Sequence, residues 1–388
     1  MKIVIAAHNV RVGGGITYLL NVLKHLSFIG GISELIVYSN SRFKKEIELF
    51  NMQDNMKINI ICEKTLDRNI FIRLLWFYFI LPYKLFKSEA DVFFSPGGTI
   101  PFFMPRKITK IVVCQNLQPF FSDTQKLEGI MMTLKLQINK ALLIDSFKKA
   151  DGIIFLTEYA RSLIKKMFAF NNCKTTIIPH GVEDEYFNVP NKEKNINVGK
   201  NRYYKLLYVS ALKSYKRHAE LIGAIKKLID RGYSNLKLLL IGAADKPIKN
   251  NIEYLIDSYK MNEVVEYRGE VPLNMMSDIY KSNDIFVFPS VCESFALPLL
   301  EATAAGLPVL ASKYPPMTEI LQDAALYFDP DDEVSIAGSI EKVLSSPELC
   351  HSLSLRAYKR ARQFSWKVSV NKLYHFLKEV KQTKNQKQ

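Results

Sequence analysis

Short apolar runs alternate with longer stretches of helical periodicity along the whole chain. Residues 2–7, 34–38, 56–62, 92–95, 111–114, 152–156 and 176–179 form one set of such runs, and residues 205–210, 236–241, 264–268, 285–289, 309–311 and 325–328 form a second. Runs of this length, apolar at consecutive rather than alternate positions, predict strands covered on both faces, as in a parallel sheet. Their alternation with helical segments predicts two doubly wound α/β domains of the Rossmann-like kind. The first is expected over residues 1–185 and the second over 205–364. Residues 186–204 are the expected linker, because 191–203 (NKEKNINVGKNRY) are polar, charged and almost without apolar periodicity. A closing helix and a basic tail account for 365–388, and the Lys/Gln/Asn-rich end from Lys381 onward is expected to be disordered.

The longest apolar stretch, IFIRLLWFYFILP over residues 70–82, is interrupted by Arg73 and falls short of the roughly 18 residues that a membrane span needs. It is apolar on every side. That predicts a buried core helix in preference to an amphipathic helix lying in a lipid interface with Arg73, Lys84 and Lys87 at its edge.

With 388 residues and 48% hydrophobic content, the chain can bury two ordinary cores and is too long for one small module. Its formal net charge of +15 predicts an anionic partner. The basic residues lie in small scattered groups, at 42–45, 148–149, 165–166, 213–217 and the tail, rather than in one aromatic-interleaved stripe. That distribution argues against nucleic acid and suits an anionic small molecule and peripheral contact with an anionic membrane surface. The five cysteines are odd in number, far apart and without a Cys-x-x-Cys pair, so they predict neither a disulfide framework nor a zinc knuckle and fit a reducing, cytoplasmic setting. The opening apolar run is too short for a signal-peptide core, so export is not expected.

The strongest chemical signal is PSVCESFALPLLEATAAGLPVLAS over residues 289–312, where Glu293 and Glu301 flank Pro298. Proline suits the first turn of a helix, where its missing N–H costs nothing, so the chain is expected to be irregular through Glu293 and helical from Leu297. With the apolar run before it, this makes a strand, a loop and a helix N-terminus in succession, an arrangement that favours an anion. Carboxylates beside such a site would accept hydrogen bonds from hydroxyls attached to the anion, and a sugar nucleotide offers both groups. Two other loops fit the same ligand. Arg11-Val-Gly13-Gly14-Gly15 follows the first strand and opens a helix, so its backbone can approach a phosphate closely, although it is neither G-x-G-x-x-G nor a P-loop. SALKSYKRH over residues 210–218 brings Lys213, Lys216 and Arg217 to the carboxyl end of a strand, where a diphosphate would be neutralised.

Taken together, these residues resemble a family. Residues 284–312 are similar to the Glu-x7-Glu segment of the retaining glycosyltransferases of family 4, the glycosyl transferases group 1, whose GT-B fold has two Rossmann-like domains facing each other across a cleft. The resemblance extends to Pro179-His-Gly-Val182 with Phe187, to residues 210–216, to Arg268-Gly269 with Tyr280 and Asp284, and to Phe364-Ser365-Trp366. It covers the second domain almost throughout and the first only loosely, at residues 13–15 and 91–98. It implies transfer of a sugar from a nucleotide-diphosphate sugar to a saccharide or lipid-linked acceptor, without metal or cofactor, in the assembly of a surface polysaccharide or glycolipid. The expected location is the cytoplasm or the inner face of the membrane.

By position, the resemblance implies that Glu301 holds the ribose hydroxyls, Glu293 the donor sugar hydroxyls and Lys216 the leaving diphosphate. The backbone of Ser294, Phe295, Ala296 and Leu297, with Gly14, Gly15 and Arg268, would complete the donor contacts. Ala211 stands where the family has an arginine, so one diphosphate contact is missing unless Lys213 or Arg217 supplies it, and Ala296 replaces a glycine. Asn116 stands where many members carry a histidine, and an amide can orient an acceptor hydroxyl without taking its proton. The departing phosphate would take the proton, with attack on the face that it leaves.

A nucleotide-sugar epimerase or hydrolase on the same fold, and a non-catalytic nucleotide-sugar-binding protein, are the rival readings. Asp329-Pro-Asp331 spells the metal motif of glycosyltransferases of another fold but precedes a helical pattern, which predicts that Asp331 or Asp332 is an N-cap. His180, beside Gly181, is read as structural rather than as a base.

Overall fold

The computed structural model describes residues 1–11, 13–49, 58–121, 129–170, 173–190 and 203–386. Nearly all of the polar segment 191–203 lies outside the described residues. The chain divides into two compact units. The first comprises Met1–Phe120, Ile130–Gly181 and Trp366–Gln388, and the second comprises Phe121–Gly129 and Val182–Ser365.

Among the described residues the first unit has a parallel sheet of seven strands: β1 (Lys2–Ala7), β2 (Glu34–Ser39), β3 (Ile58–Cys62), β4 (Val92–Ser95), β5 (Thr109–Cys114), β6 (Gly152–Phe155) and β7 (Lys174–Ile177). Their order is β3-β2-β1-β4-β5-β6-β7. The second unit has six: β8 (Tyr204–Val209), β9 (Leu236–Ile241), β10 (Val265–Gly269), β11 (Ile285–Phe288), β12 (Val309–Ser312) and β13 (Leu326–Phe328), in the order β10-β9-β8-β11-β12-β13. Each apolar run of the sequence therefore forms its strand over its described residues, with ends displaced by at most two, and residues 56–57 of the expected run 56–62 lie outside the described residues. The continuous runs are strands because both faces are covered: β4, β6, β11 and β12 are buried at every position.

One aspartate device fixes register in both sheets. Asp91, Asp151 and Asp284 immediately precede β4, β6 and β11, and each carboxylate accepts the N–H of Lys2, Lys110 and Lys205 at 2.8, 2.7 and 2.9 Å. The same aspartates donate their own N–H to the carbonyls of Lys2, Lys110 and Lys205 at 2.9, 2.8 and 2.8 Å. Asp284 thus clamps β11 to β8 rather than lying with the ligand-facing loops.

Sheet order decides where a ligand can sit. Strand order reverses between β1 and β4 in the first unit and between β8 and β11 in the second, and in open parallel sheets the crevice at the carboxyl ends of such strands is the binding position.

Two sequence expectations fail, each for a physical reason. The tail is not disordered from Lys381. The helix Trp366–Asn385 buries Trp366, Val370, Leu373, Leu377 and Val380 on one face, and Lys381 and Lys384 pair with Asp91 and Asp151 at 2.6 and 2.7 Å. The polar composition there is the outer face of a packed helix, not evidence of poor packing. Nor is the 70–82 stretch buried all round. Trp76, Phe77, Tyr78, Leu81 and Leu85 are buried, but Phe71 and Phe79 are 74% and 64% exposed, and Leu75, Tyr83 and Phe86 are exposed beside them. A π-helical turn at Trp76–Ile80 separates the helices Ile70–Leu75 and Leu81–Ser88. The extra residue in that turn shifts the phase, so an apolar pattern that looks uniform in sequence still has one bare side.

Candidate active site

The loops that follow β8 and β11 meet at the switch point of the second sheet. The first, residues 210–217, ends in a short 3-10 turn, Ser214–Lys216, and leads into the helix His218–Asp230 through Arg217, which has φ 54°. It is held in three places. The Tyr208 hydroxyl donates to the Lys216 carbonyl at 2.7 Å, Leu212 N–H donates to the Ala243 carbonyl at 2.8 Å, and Val291 N–H reaches across to the Tyr215 carbonyl at 3.0 Å. The approach of the loop after β9 requires Gly242. This residue has φ 147°, and a side chain there would place Cβ 2.1 Å from the Ser210 carbonyl oxygen.

The second loop runs from Pro289 to Ala296 and enters the helix Leu297–Ala304 with Pro298 in its first turn, where the sequence places it. Ala296 is the N-cap and has φ 66°, ψ 67°. A left-handed conformation is nearly costless for glycine and costs other residues about 1 kcal/mol, so this alanine sits where a glycine would be at ease. At the far end of the segment Gly306 (φ 71°) closes the helix, and a Cβ there would meet the Asn188 carbonyl at 2.6 Å.

These two loops bring Lys216 and Glu293 together. Lys216 Nζ and Glu293 Oε1 form a close ion pair, with side chains 12% and 14% exposed. A nearly buried lysine held on a loop tied to its neighbour can transfer from this carboxylate to an incoming anion while remaining compensated. Cys292, next to the pair, is buried and its thiol is pushed up to about 12, chiefly by burial, so it is not a nucleophile here.

Glu301 lies one turn into the same helix and is 8% exposed. It accepts a hydrogen bond from the Tyr280 hydroxyl at 2.8 Å, and the Tyr280 ring packs edge-on to Tyr186 at 5.8 Å. Burial pushes the carboxyl up to about 7, against the lowering effect of Tyr280 and with further upward push from Glu183 and Glu185. Phe295 is buried and packs edge-on to Phe364 at 6.0 Å, fixing the turn between the two glutamates. Ser294 and Leu297 lie on the same turn, Leu297 buried at the start of the helix.

Several residues expected at the site are occupied elsewhere. Lys213 pairs with Asp245 at 2.5 Å, and Arg217 pairs with Asp331 at 2.5 Å and Glu220 at 3.2 Å. Arg268 is the penultimate residue of β10, which β9 separates from β8, and is bound to Glu266 of its own strand at 2.7 Å. Asp332, not Asp331, caps the helix Glu333–Ser345 by accepting Val334 N–H at 2.8 Å. Asp329 pairs with Lys313 at 2.7 Å.

In the first unit, Gly14 and Gly15 begin the helix Gly14–Leu26, with Gly13 at φ 57° as its N-cap and open space where a Gly15 side chain would lie. Asn116 is exposed and its amide oxygen accepts Gln118 N–H at 3.0 Å, a local turn at the end of β5. His180 is buried between the rings of Tyr18 and Trp366, at 4.8 and 5.4 Å, and burial pulls its imidazole down to about 3. It packs as a neutral structural residue. Sequence reasoning missed the Tyr280–Glu301 contact, which joins residues 21 apart in the chain.

The match to a known family lies in the second unit. Residues 190–360 match the model described as Glycosyl transferases group 1. Both units together have the two-sheet α/β architecture of the GT-B glycosyltransferases. The structure of Anabaena Alr3699/HepE in complex with UDP and glucose matches with a TM-score of 0.74 at 15% identity, covering 98% of this chain and 100% of that one. In sequence, the O-antigen chain mannosyltransferase RfbU of Salmonella typhimurium is 25% identical over 250 residues, 64% of each chain. The alpha-monoglucosyldiacylglycerol synthase of Streptococcus pneumoniae is 24% identical over 272 residues, 67% of this chain and 60% of that protein. The sequence matches thus span slightly under two thirds of these relatives' own length.

Proposed function

We propose that the chain transfers a sugar from a nucleotide-diphosphate sugar to a saccharide or lipid-linked saccharide acceptor in polysaccharide or glycolipid assembly, with retention of anomeric configuration. The observation that carries this reading is the Lys216–Glu293 pair at the switch point of the second sheet, with Glu293 on the loop that leads into the helix carrying the buried Glu301. Glu301 takes the ribose hydroxyls and Glu293 the donor sugar hydroxyls. Lys216 and the N–H groups at the start of the helix Leu297–Ala304 receive the diphosphate as negative charge grows on it, which stabilises an oxocarbenium-like transition state. Both carboxylates position hydroxyls. The leaving phosphate takes the acceptor proton, so no side-chain base is needed.

The names of the relatives support the substrate class, since one assembles O-antigen and another a glycolipid. Peripheral contact with a membrane, at its cytoplasmic face, is favoured by the bare side of the 70–88 segment, where Phe71, Leu75, Phe79, Tyr83 and Phe86 are exposed next to Lys87. No described helix is long and apolar enough to cross a membrane. The test is to incubate the protein with nucleotide sugars and oligosaccharide or lipid-linked acceptors and to follow the anomeric proton by NMR. A new glycosidic bond of unchanged configuration, abolished in Glu293→Ala, is expected. Donor isomerisation or hydrolysis without transfer would overturn the reading in favour of the epimerase or hydrolase.

A further inference from the structure

We propose that the first unit contains a binding site for a phosphoryl group, held by the guanidinium groups of Arg11 and Arg73 at the carboxyl end of β1, beside the turn that follows β3. The site stands on the geometry of this unit. Only its assignment to the acceptor rests on the glycosyl-transfer reading.

Arg11 follows β1 and donates through Nη2 to the Leu66 carbonyl, which ties it to the turn Lys64–Asp67 after β3. Arg73 lies on the helix Ile70–Leu75 that follows that turn. The two side chains lie close enough to interact: burial, then Arg11, pulls the Arg73 guanidinium below its ordinary value. Neither makes an ion pair with a carboxylate among the described residues, and Nε of each is buried with no hydrogen-bond partner. The nearby acids are already engaged. Glu63 pairs with Lys84 at 2.6 Å, and Asp67 accepts from the N–H and hydroxyl of Ser41.

The surroundings add further donors. His8, on the same loop as Arg11, is 3% exposed and stacks on Phe77 with ring centroids 4.1 Å apart. Burial, reinforced by Arg73 and Arg11, pulls its imidazole down to about 3, so it remains neutral. Its Nδ1 is buried without a well-formed hydrogen bond, the Ala6 carbonyl offering only a weak contact. The Trp76 indole N–H, three residues after Arg73, and the Thr65 hydroxyl, next to Leu66, are also buried without partners. Two unneutralised guanidinium groups with several orphaned donors need an anion that offers many acceptor oxygens, and a phosphoryl group does so where a carboxylate has only two. The same helical segment is bare on its outer side at Phe71, Leu75 and Phe79, which fits a phosphoryl group carried on a lipid.

The test titrates the full-length chain with inorganic pyrophosphate, in parent and Lys216→Met backgrounds so that the second unit does not contribute, and with phosphatidylcholine vesicles with and without phosphatidic acid. Arg73→Gln and Arg11→Gln should each weaken binding about tenfold or more, and Arg73→Lys should restore part of it. Without phosphate, Arg73→Gln should melt at or above the parent midpoint, because it removes a repulsion. Loss in both arms assigns the site to any phosphoryl group, and loss in the vesicle arm alone assigns it to a lipid headgroup. Unchanged binding in both arms, or a lowered midpoint in Arg73→Gln without phosphate, overturns the proposal. Nucleotide-sugar binding should be the same in Arg73→Gln as in the parent. If no nucleotide sugar binds the parent while the arginine effects persist, the glycosyl-transfer reading falls and this site remains.

Discussion

The cations at the two switch-point faces are managed in opposite ways. In the second unit Lys213, Lys216 and Arg217 each rest on a carboxylate, of Asp245, of Glu293, and of Glu220 with Asp331. In the first unit Arg11 and Arg73 lie near each other with no such partner among the described residues. A paired lysine is already compensated, so a ligand binds by replacing its carboxylate, and affinity depends on what the freed carboxylate then contacts. Two uncompensated guanidinium groups hold an unfavourable interaction that any suitable anion relieves, so affinity there depends mainly on charge. The first arrangement suits discrimination of a donor that brings hydroxyls for Glu293 as well as phosphates for Lys216. The second suits retention of a charged group with little regard to the rest of the molecule.

The sharpest break of this comparison is Lys216→Ala. It leaves Glu293 nearly buried without its cation, so it should lower folding stability by roughly 2–3 kcal/mol, below the range for a fully buried pair, and abolish donor turnover. Arg73→Gln, which removes an equally positive side chain, should not lower stability. Thermal melts of the two variants side by side check the contrast, and equal losses would dissolve it.

Next in size is the pH response of Glu301. Its carboxyl is raised to about 7 in the folded chain, so the folded form holds a proton that the unfolded form releases between its ordinary value and 7. The stability tied to that proton is fully present below the ordinary value and is lost as pH rises through 7. Ionised, the buried carboxylate destabilises by roughly 3 kcal/mol. Glu301→Gln carries no charge at any pH and can still accept from Tyr280. It should therefore match the parent near pH 4.5 and exceed it by about 2–3 kcal/mol near pH 8. Denaturant melts at the two pH values measure the difference. The same variant should bind nucleotide sugar more weakly, because an amide is a poorer acceptor for ribose hydroxyls than an ionised carboxylate.

The smallest effect sharpens the comparison at the helix N-terminus. Ala296→Gly removes the strain of φ 66° and should change stability by between zero and about +1 kcal/mol, the relief being partly offset by a more flexible unfolded chain. A loss of more than about 1 kcal/mol would mean that the alanine methyl packs into the site.

What the sequence could reveal follows the same division. The Glu293–Glu301 segment was legible because its parts are contiguous: a continuous apolar run forms β11, and Pro298 marks where the helix begins. The Lys216 loop was legible for the same reason, at the end of β8. Which cations face which carboxylates was not legible, because the Lys216–Glu293 and Arg217–Asp331 pairs join segments far apart in the chain. Arg11 and Arg73 are brought together only by the order β3-β2-β1, which periodicity does not encode. The bare side of the 70–88 segment was hidden by the π-helical turn, and the closing helix by its polar outer face. Asn116 and Arg268, placed by resemblance alone, engage local partners, Gln118 and Glu266.

The central claim is that Lys216, Glu293 and Glu301 form a donor site for a nucleotide-diphosphate sugar. Its most direct test is the melting midpoint of the parent and of Glu301→Ala against UDP-, GDP-, ADP- and dTDP-sugars, since a ligand that binds only the folded chain raises stability by RT ln(1 + [L]/Kd). The account predicts that at least one of these raises the parent midpoint in a dose-dependent way and leaves Glu301→Ala unmoved. A parent that none of them shifts, or a Glu301→Ala variant that shifts as far as the parent, would contradict it.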